Sequence, residues 1–531
     1  MACIFRSPSV MATPVSSPTL HPERQEVVMS GARGIRTRLS LLLGLALLPL
    51  TVMADAPALP APKPQRIGQV QFEPCILQAP SGLEQRARAL CGSLKVPENP
   101  QLPQGRQIEL KLAWVPPLKS FMAQKDPVFL LSGGPGQDTL QTYAALAPSL
   151  AEIRQRRGMV LVDQRGTGGS NRLDCPMAPG TDMLSMPPQA LVAFTQACQK
   201  ALADKADLRF YTTTDAVRDL EAVRKALGLE RINLLGISYG TRVALQYARQ
   251  YPQQTRALVL DSPLPNGHYL GELDARQHED ALKRLLSRCT EDTACHKALG
   301  DPYPQLLQVL EKLRAKPVEV NLKLPPRGEW VRQRLTDETM ASLVRLLAYS
   351  PETASMLPLL IHQAAQGHYE VPGYLARQMN EQLREILAMG MYTAVACTED
   401  IDSFQKPAGQ PDPLMLNANI RAMAQACRSW PRGEVPAGFD KQISPDIPVL
   451  ALTGEFDPTL GHAMGEAAVA GLKNARHLHL KHQAHNVMSA GCMPELMAEF
   501  LRRPDAAALD VSCLDELKPV PLLLQWPQPS R

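Results

Sequence analysis

Short, continuously apolar runs alternate with amphipathic stretches along much of this chain. Runs at Ile108–Val115, Val128–Leu131, Met159–Val162, Ile232–Leu235, Ala257–Leu260 and Val449–Leu452 have the length and composition of strands. Arg476–Leu480 reads as another. Between several of them lie helical patterns. Ala216–Leu227 is opened by Thr212-Thr213-Thr214-Asp215, whose oxygens can cap free N–H groups. Strands alternating with helices predict an α/β protein whose mostly parallel sheet is covered on both faces. The alternation then breaks. Residues 267–443 are largely helical in pattern (Asp280–Arg288, Tyr303–Leu313, Asp337–Leu347, Tyr374–Met389), with proline-rich joins, and strand–helix alternation resumes at Ile447. The expected organisation is a leader over 1–54, a core over 55–266 and 444–531, and a helical insertion over 267–443. Such an insertion would sit above the carboxyl ends of the strands, where open α/β sheets place their sites.

Composition narrows the class. Hydrophobic residues make up 45% and charged residues 20% of the 531 positions, ordinary for a globular protein. A formal charge of +4 is small for this length, and no basic run is interleaved with aromatics, so nucleic acid is not an expected partner. Near the N-terminus, Arg33, Arg36 and Arg38 precede the leucine-rich run Leu39–Leu50, which falls short of the ~20 residues that span a bilayer. This pattern predicts a signal peptide cleaved after Ala54, with translation starting at Met29. The chain is therefore expected to be exported, to the periplasm or medium, with no stable membrane anchor after cleavage. Cysteine usage agrees. Of eleven cysteines, Cys3 falls in the leader, and the remaining ten are an even set suited to disulfides in an oxidising compartment. Pairing neighbours in order is the simplest connectivity: Cys75 with Cys91, Cys175 with Cys198, Cys289 with Cys295, Cys397 with Cys427, and Cys492 with Cys513.

The chemistry starts at Gly236-Ile237-Ser238-Tyr239-Gly240, where an apolar run gives way to a helical one. G-x-S-x-G between a strand and a helix is a nucleophile elbow. A serine hydroxyl needs a base, and the base an orienting acid, here in the order Ser…Asp…His. Asp457 follows the strand at Val449–Leu452 in Gly454-Glu455-Phe456-Asp457-Pro458 and is the leading acid, with Glu455 its rival. Of His477, His479, His482 and His485, the first two alternate within a strand. His485 lies in the loop beyond and is the leading base, with His482 the alternative. Four histidines could also hold a metal. No His-Glu-x-x-His occurs, however, and no carboxylate has ligand-like spacing within the cluster, so neither metal nor cofactor is expected. The backbone N–H groups of Tyr239 and of Gly134, in Ser132-Gly133-Gly134-Pro135-Gly136-Gln137, are the expected oxyanion donors. Asp163 and Arg165, in Asp163-Gln164-Arg165-Gly166-Thr167-Gly168, read as structural groups that hold neighbouring loops.

Together these motifs resemble the S33-type serine exopeptidases, the proline iminopeptidase and tripeptidyl aminopeptidase group of α/β-hydrolases. Cys91-Gly92-Ser93-Leu94-Lys95-Val96-Pro97 resembles the start of the exported tripeptidyl aminopeptidase-like branch. The resemblance runs from about Cys75 to Cys513. It implies an α/β-hydrolase fold with a helical cap, a peptide substrate, and release of N-terminal residues or short peptides. A carboxylesterase on the same triad is the alternative. Cys397-Thr398-Glu399-Asp400 resembles a segment of the family's cap, which makes Glu399 the expected partner of the substrate amine. The chain departs from the family pattern at Ser132, where histidine is usual, at Ala484, where glycine is usual, and at Thr459-Leu460-Gly461, where Val-Thr-Pro is usual.

Overall fold

A computed structural model describes residues 63–178, 181–269, 275–324, 328–404, 414 and 416–526. The leader, its cleavage position at Ala54 and the alternative start at Met29 lie outside the described residues.

Eight strands precede the insertion: β1 (Gln65–Ile67), β2 (Val70–Gln78), β3 (Arg86–Pro97), β4 (Gln107–Val115), β5 (Val128–Leu131), β6 (Met159–Val162), β7 (Ile232–Ile237) and β8 (Thr255–Asp261). The insertion contributes β9 (Val318–Leu324) and β10 (Glu329–Leu335), which pair with each other. Strands β11 (Val449–Gly454) and β12 (Ala475–Leu480) then return to the main sheet. That sheet has ten strands in the order β1-β2-β3-β4-β6-β5-β7-β8-β11-β12. From β6 to β12 the pairings are parallel, and from β1 through to β6 they are antiparallel.

The parallel part follows from the apolar runs. Every residue of β5, β6, β7 and β11 is buried, as a strand covered on both faces requires. The antiparallel arm is an addition to the sequence expectation. In β2 and β3, exposed charges alternate with buried residues, and Pro74 and Gly92 interrupt the pattern, so neither segment stands out as an apolar run.

Five helices belong to the first part of the core: α1 (Thr139–Leu146), α2 (Ala151–Arg154), α3 (Pro188–Leu202), α4 (Thr213–Ala226) and α5 (Tyr239–Gln250). Thr212 caps α4 by accepting the Asp215 N–H through its hydroxyl. Side chains from α4 and α5, among them Val217, Leu220 and Val243, pack with Phe129 and Leu234 on one face of the sheet. On the other face Tyr143 of α1 packs with Val128 and Leu235. Leu234 and Leu235 point to opposite sides, as strand geometry dictates. Each such fully buried aliphatic side chain contributes about 1.5–3 kcal/mol.

Between β8 and β11 lie α6 (Ala275–Glu291), α7 (Thr293–Leu299), α8 (Pro302–Ala315), α9 (Asp337–Leu347) and α10 (Pro351–Ala354). They are followed by α11 (Leu357–Ala365), α12 (Glu370–Ile386), α13 (Met389–Glu399), α14 (Ile401–Phe404) and α15 (Leu416–Ala426). Much of this insertion packs around its own cluster, with Leu306, Leu313, Met340, Val344 and Leu360 at its centre. The single helical pattern at Tyr374–Met389 is broken at Leu387, and the hairpin of β9 and β10 adds strand to a region read as helical. Helix α16 (His462–Val469) links β11 to β12, and α17 (Met493–Arg502) closes the core.

The ten cysteines pair as neighbours in order: 75–91, 175–198, 289–295, 397–427 and 492–513. Among the described residues no helix is long and apolar enough to cross a membrane.

Candidate active site

Ser238 stands between β7 and α5 with φ 54° and ψ −122°, a conformation that a non-glycine residue adopts only when its surroundings enforce it. They do so here. The Ser238 N–H donates to the Asp261 carbonyl at 2.8 Å, and the Ser238 carbonyl accepts the Thr241 N–H at 2.9 Å. A Cβ on Gly236 would lie 2.6 Å from the Gly240 carbonyl oxygen, and one on Gly240 would lie 2.2 Å from that of Leu131. The flanking glycines are therefore a steric requirement of the turn.

The candidate acid and base come from loops at the carboxyl ends of β11 and β12. His485 Nδ1 lies 2.8 Å from Asp457 Oδ2, and both side chains are buried. The other Asp457 oxygen, Oδ1, accepts the N–H groups of Thr459 and Leu460 at 2.9 and 2.8 Å. Burial raises the Asp457 carboxyl, but attraction to His485, the hydrogen bond between them and these two N–H donors outweigh it and hold it at about 2. The acid is thus a fixed anion. The rivals are placed elsewhere. Glu455 Oε2 accepts the His482 N–H at 2.8 Å, so these two residues pair with each other, and neither lines the cavity that holds Ser238.

That cavity measures about 470 Å³ and is bordered by Gly134, Ser238 and His485 from the core and by Leu346, Leu383 and Leu387 from the insertion. The Gly133–Gly134 turn lies against the nucleophile, since a Cβ on Gly133 would come within 3.2 Å of Ser238 Cβ. The insertion also touches the base directly. The Tyr349 carbonyl accepts the His485 N–H at 3.1 Å, and the Tyr349 ring meets the imidazole edge-to-face at 4.9 Å between centroids.

Glu399 is not where the resemblance implied. It does not line the cavity. Its Oε1 accepts the Thr213 N–H at 2.6 Å, its Oε2 accepts the Thr213 hydroxyl at 2.7 Å, and Arg242 Nη1 lies 3.4 Å away. Burial, opposed by Arg242, pushes its carboxyl up to about 7. Thr213 Oγ1 in turn meets the Tyr239 hydroxyl at 2.7 Å, and Arg242 forms two bonds to Asp400 at 2.9 and 3.0 Å. Glu399 therefore braces the first turn of α5 against α13, buried away from the lining of the Ser238 cavity.

Three polar groups were not singled out in the sequence. Among the described residues lining the cavity, Glu338 is the one carboxylate. It shares a helix face with Ser342 and Arg345, and that polar stripe on an otherwise apolar helix was the signal available. Asn486 also lines the cavity, and neither polar atom of its buried amide has a partner. Asp261, at the end of β8, accepts the N–H groups of Val487 and Met488 at 2.8 and 3.1 Å and so fixes the segment after His485. Burial, outweighing those donors, raises its carboxyl to about 6. A lone acid closing an apolar strand was its trace in the sequence.

Asp163 and Arg165 have supporting places. Asp163 accepts the N–H groups of Thr139, Leu140 and Gly169 and thereby holds the start of α1. Arg165 forms a two-point pair with Asp219, both bonds at 2.7 Å.

Comparisons with known proteins agree with this geometry. A family model for the alpha/beta hydrolase fold matches residues 126–295, and one for TAP-like protein matches residues 412–513. The serine protease Hip1 of Mycobacterium tuberculosis is 28% identical over 270 residues, covering 47% of this chain and 50% of that protein. A tripeptidyl aminopeptidase of Streptomyces coelicolor is 28% identical over 188 residues, covering 32% and 34% respectively. A proline iminopeptidase of Lactobacillus delbrueckii is 32% identical over 139 residues, covering 26% and 36%. The chain thus spans about half the length of Hip1 and about a third of the other two. The elbow, the order of the candidate acid and base, and the match to the alpha/beta hydrolase model show an α/β-hydrolase fold, and the chain is similar in sequence to tripeptidyl aminopeptidases and proline iminopeptidases.

Proposed function

We propose that this protein is an exported serine exopeptidase that removes N-terminal residues or short peptides through an acyl-enzyme. The observation that carries the reading is the buried His485–Asp457 pair, whose histidine lines, together with Ser238, one cap-bordered cavity of about 470 Å³. His485 takes the proton of Ser238 as its Oγ attacks the scissile carbonyl. Asp457 holds the Nδ1–H of His485 and stabilises the imidazolium that forms. The N–H groups of Gly134 and Tyr239 receive the oxyanion, and α5 adds the field of its N-terminus. His485 then gives its proton to the leaving amine, and a water activated by the same imidazole releases the acyl group. The cap borders the cavity and favours a chain end over a mid-chain segment. Glu338 is the carboxylate available to a protonated N-terminus, and the unpartnered Asn486 amide suits a substrate peptide group. The five disulfides support an oxidising compartment and hence export.

A second reading, a carboxylesterase on the same triad, draws on the apolar lining contributed by Met183, Leu191, Phe194 and Ile386. The test is a panel of aminoacyl and tripeptidyl arylamides against short acyl esters, assayed with the wild type and Ser238→Ala. Arylamide turnover lost in Ser238→Ala is the expected result. Ester turnover without arylamide cleavage would establish the esterase, and unchanged turnover in Ser238→Ala would end both readings.

A further inference from the structure

We propose that His462, His477 and His479 form a binding site for one divalent transition metal of the zinc class, supported by Glu466. The site stands on the edge of the sheet and shares no residue with the lining of the Ser238 cavity.

Its construction follows from two periodicities. His477 and His479 are two residues apart on β12 and project from the same face. Helix α16 packs on β11 and β12, and it presents His462 and, one turn later, Glu466. The three rings each offer a nitrogen, all within 4.8 Å of one another. Ring centroids lie 4.7 Å apart for His462 and His479 and 5.1 Å apart for His462 and His477. A zinc ion bound at about 2.0–2.1 Å would bring tetrahedral nitrogens to about 3.4 Å from one another. His462, exposed at the start of its helix, is free to close that difference.

The hydrogen bonds set the ring tautomers. Glu466 Oε1 lies 2.7 Å from His477 Nδ1, so this nitrogen carries the proton that the carboxylate accepts. In the neutral ring Nε2 then accepts from the Thr453 hydroxyl, at 2.6 Å. The Thr453 oxygen in turn accepts the Nδ1–H of His479, at 3.0 Å. His479 Nε2 is left with its lone pair, the state a metal requires. On binding, His477 Nε2 exchanges the threonine hydroxyl for the ion and keeps its Nδ1–H on Glu466, an outer carboxylate of the kind that orients metal-bound histidines.

Gly465 shows that this ring position is accommodated. A Cβ there would lie 2.1 Å from His477 Nε2, so any larger residue would displace the imidazole. Three imidazole nitrogens select zinc, copper(II) or nickel over calcium or magnesium. The expectation of no metal rested on His477, His479, His482 and His485, a cluster with no His-Glu-x-x-His and no carboxylate at ligand-like spacing, and it did not include His462. Glu466 arrives from the preceding helix through tertiary packing.

The consequence is mechanical. Helix α16 begins just after the Asp457 loop, and β12 leads into the His485 loop. An ion joining the two clamps together the segments that carry the acid and the base.

The test uses the full chain stripped with a chelator. Zinc is titrated calorimetrically, and cobalt(II) is added as a visible-absorption probe of nitrogen coordination. Expected are one zinc per chain, a rise in melting midpoint with zinc, and cobalt bands typical of a tetrahedral site. His462→Gln and His479→Gln should each weaken zinc binding about tenfold or more and abolish the rise in midpoint, while melting like the wild type in chelator. Glu466→Gln should weaken it by about 10–100-fold. The proposal is overturned if the wild type binds no zinc at stoichiometric concentration, or if both histidine variants bind zinc as tightly as the wild type does.

Discussion

His485 Nδ1 and Asp457 Oδ2, 2.8 Å apart, stand on loops that leave two adjacent parallel strands. The pair is buried, and Asp457 is also held by two backbone N–H groups, so replacing its charge should leave the geometry in place. Asp457→Asn should then strand the imidazole in the wrong tautomer. The expected result is a kcat lower by roughly 10⁴-fold with KM and melting midpoint little changed. A loss of less than tenfold would remove Asp457 from the mechanism.

Glu338 gives a prediction about substrate. If it receives the protonated amine, Glu338→Gln should lower kcat/KM on free-amine arylamides by roughly 10–100-fold, the worth of a hydrogen bond to a charged group. Substrates with an acylated N-terminus should be unaffected. Equal losses on both would mean that Glu338 shapes the cavity without reading charge.

Glu399 should appear in stability and not in substrate choice. Its carboxyl is raised to about 7 in the folded protein from an ordinary 4.5. The folded state therefore holds the proton more tightly than the unfolded one between these values. This group makes the protein lose stability as pH rises from about 4.5 to about 7, with no further change above. In Glu399→Gln that part of the slope should vanish in melting midpoints measured from pH 4 to 8. An identical slope in the variant would show that Glu399 stays ionised throughout.

The bridge between Cys397 and Cys427 spans a sequence separation of 30 and ties the end of α13 to the end of α15. Replacing both cysteines with serine should cost roughly 3–4 kcal/mol by releasing the unfolded chain. Denaturant unfolding measures this directly. Because Cys397 lies two residues before Glu399, a fall in kcat without a stability change would reveal a role in bracing the elbow.

The sequence made the parallel strands and the candidate triad positions legible for the same reason. Strands buried on both faces are written as unbroken apolar runs, and the catalytic loops leave their carboxyl ends. Ser238 and Asp457 could be placed from those runs, and His485 from the order the chemistry needs. The antiparallel arm was not legible, because one-sided strands such as β2 mix charges with apolar residues. Glu399 misled for a different reason. A short local pattern fixes its place on α13 but does not reveal that Thr213 and Arg242, distant in sequence, occupy its oxygens. Glu338, Tyr349 and Glu466 acquire their neighbours only through tertiary packing, which no local spacing records.

The long excursion between β8 and β11 separates the nucleophile from its activators in time as well as in sequence. A chain made from its N-terminus presents Ser238 early, yet the acid and base follow some two hundred residues later. If His485 is the base, as proposed, the serine hydroxyl has no group to take its proton until β11 and β12 dock beside β8. On the proposed mechanism, completion of the sheet is the step that assembles the site.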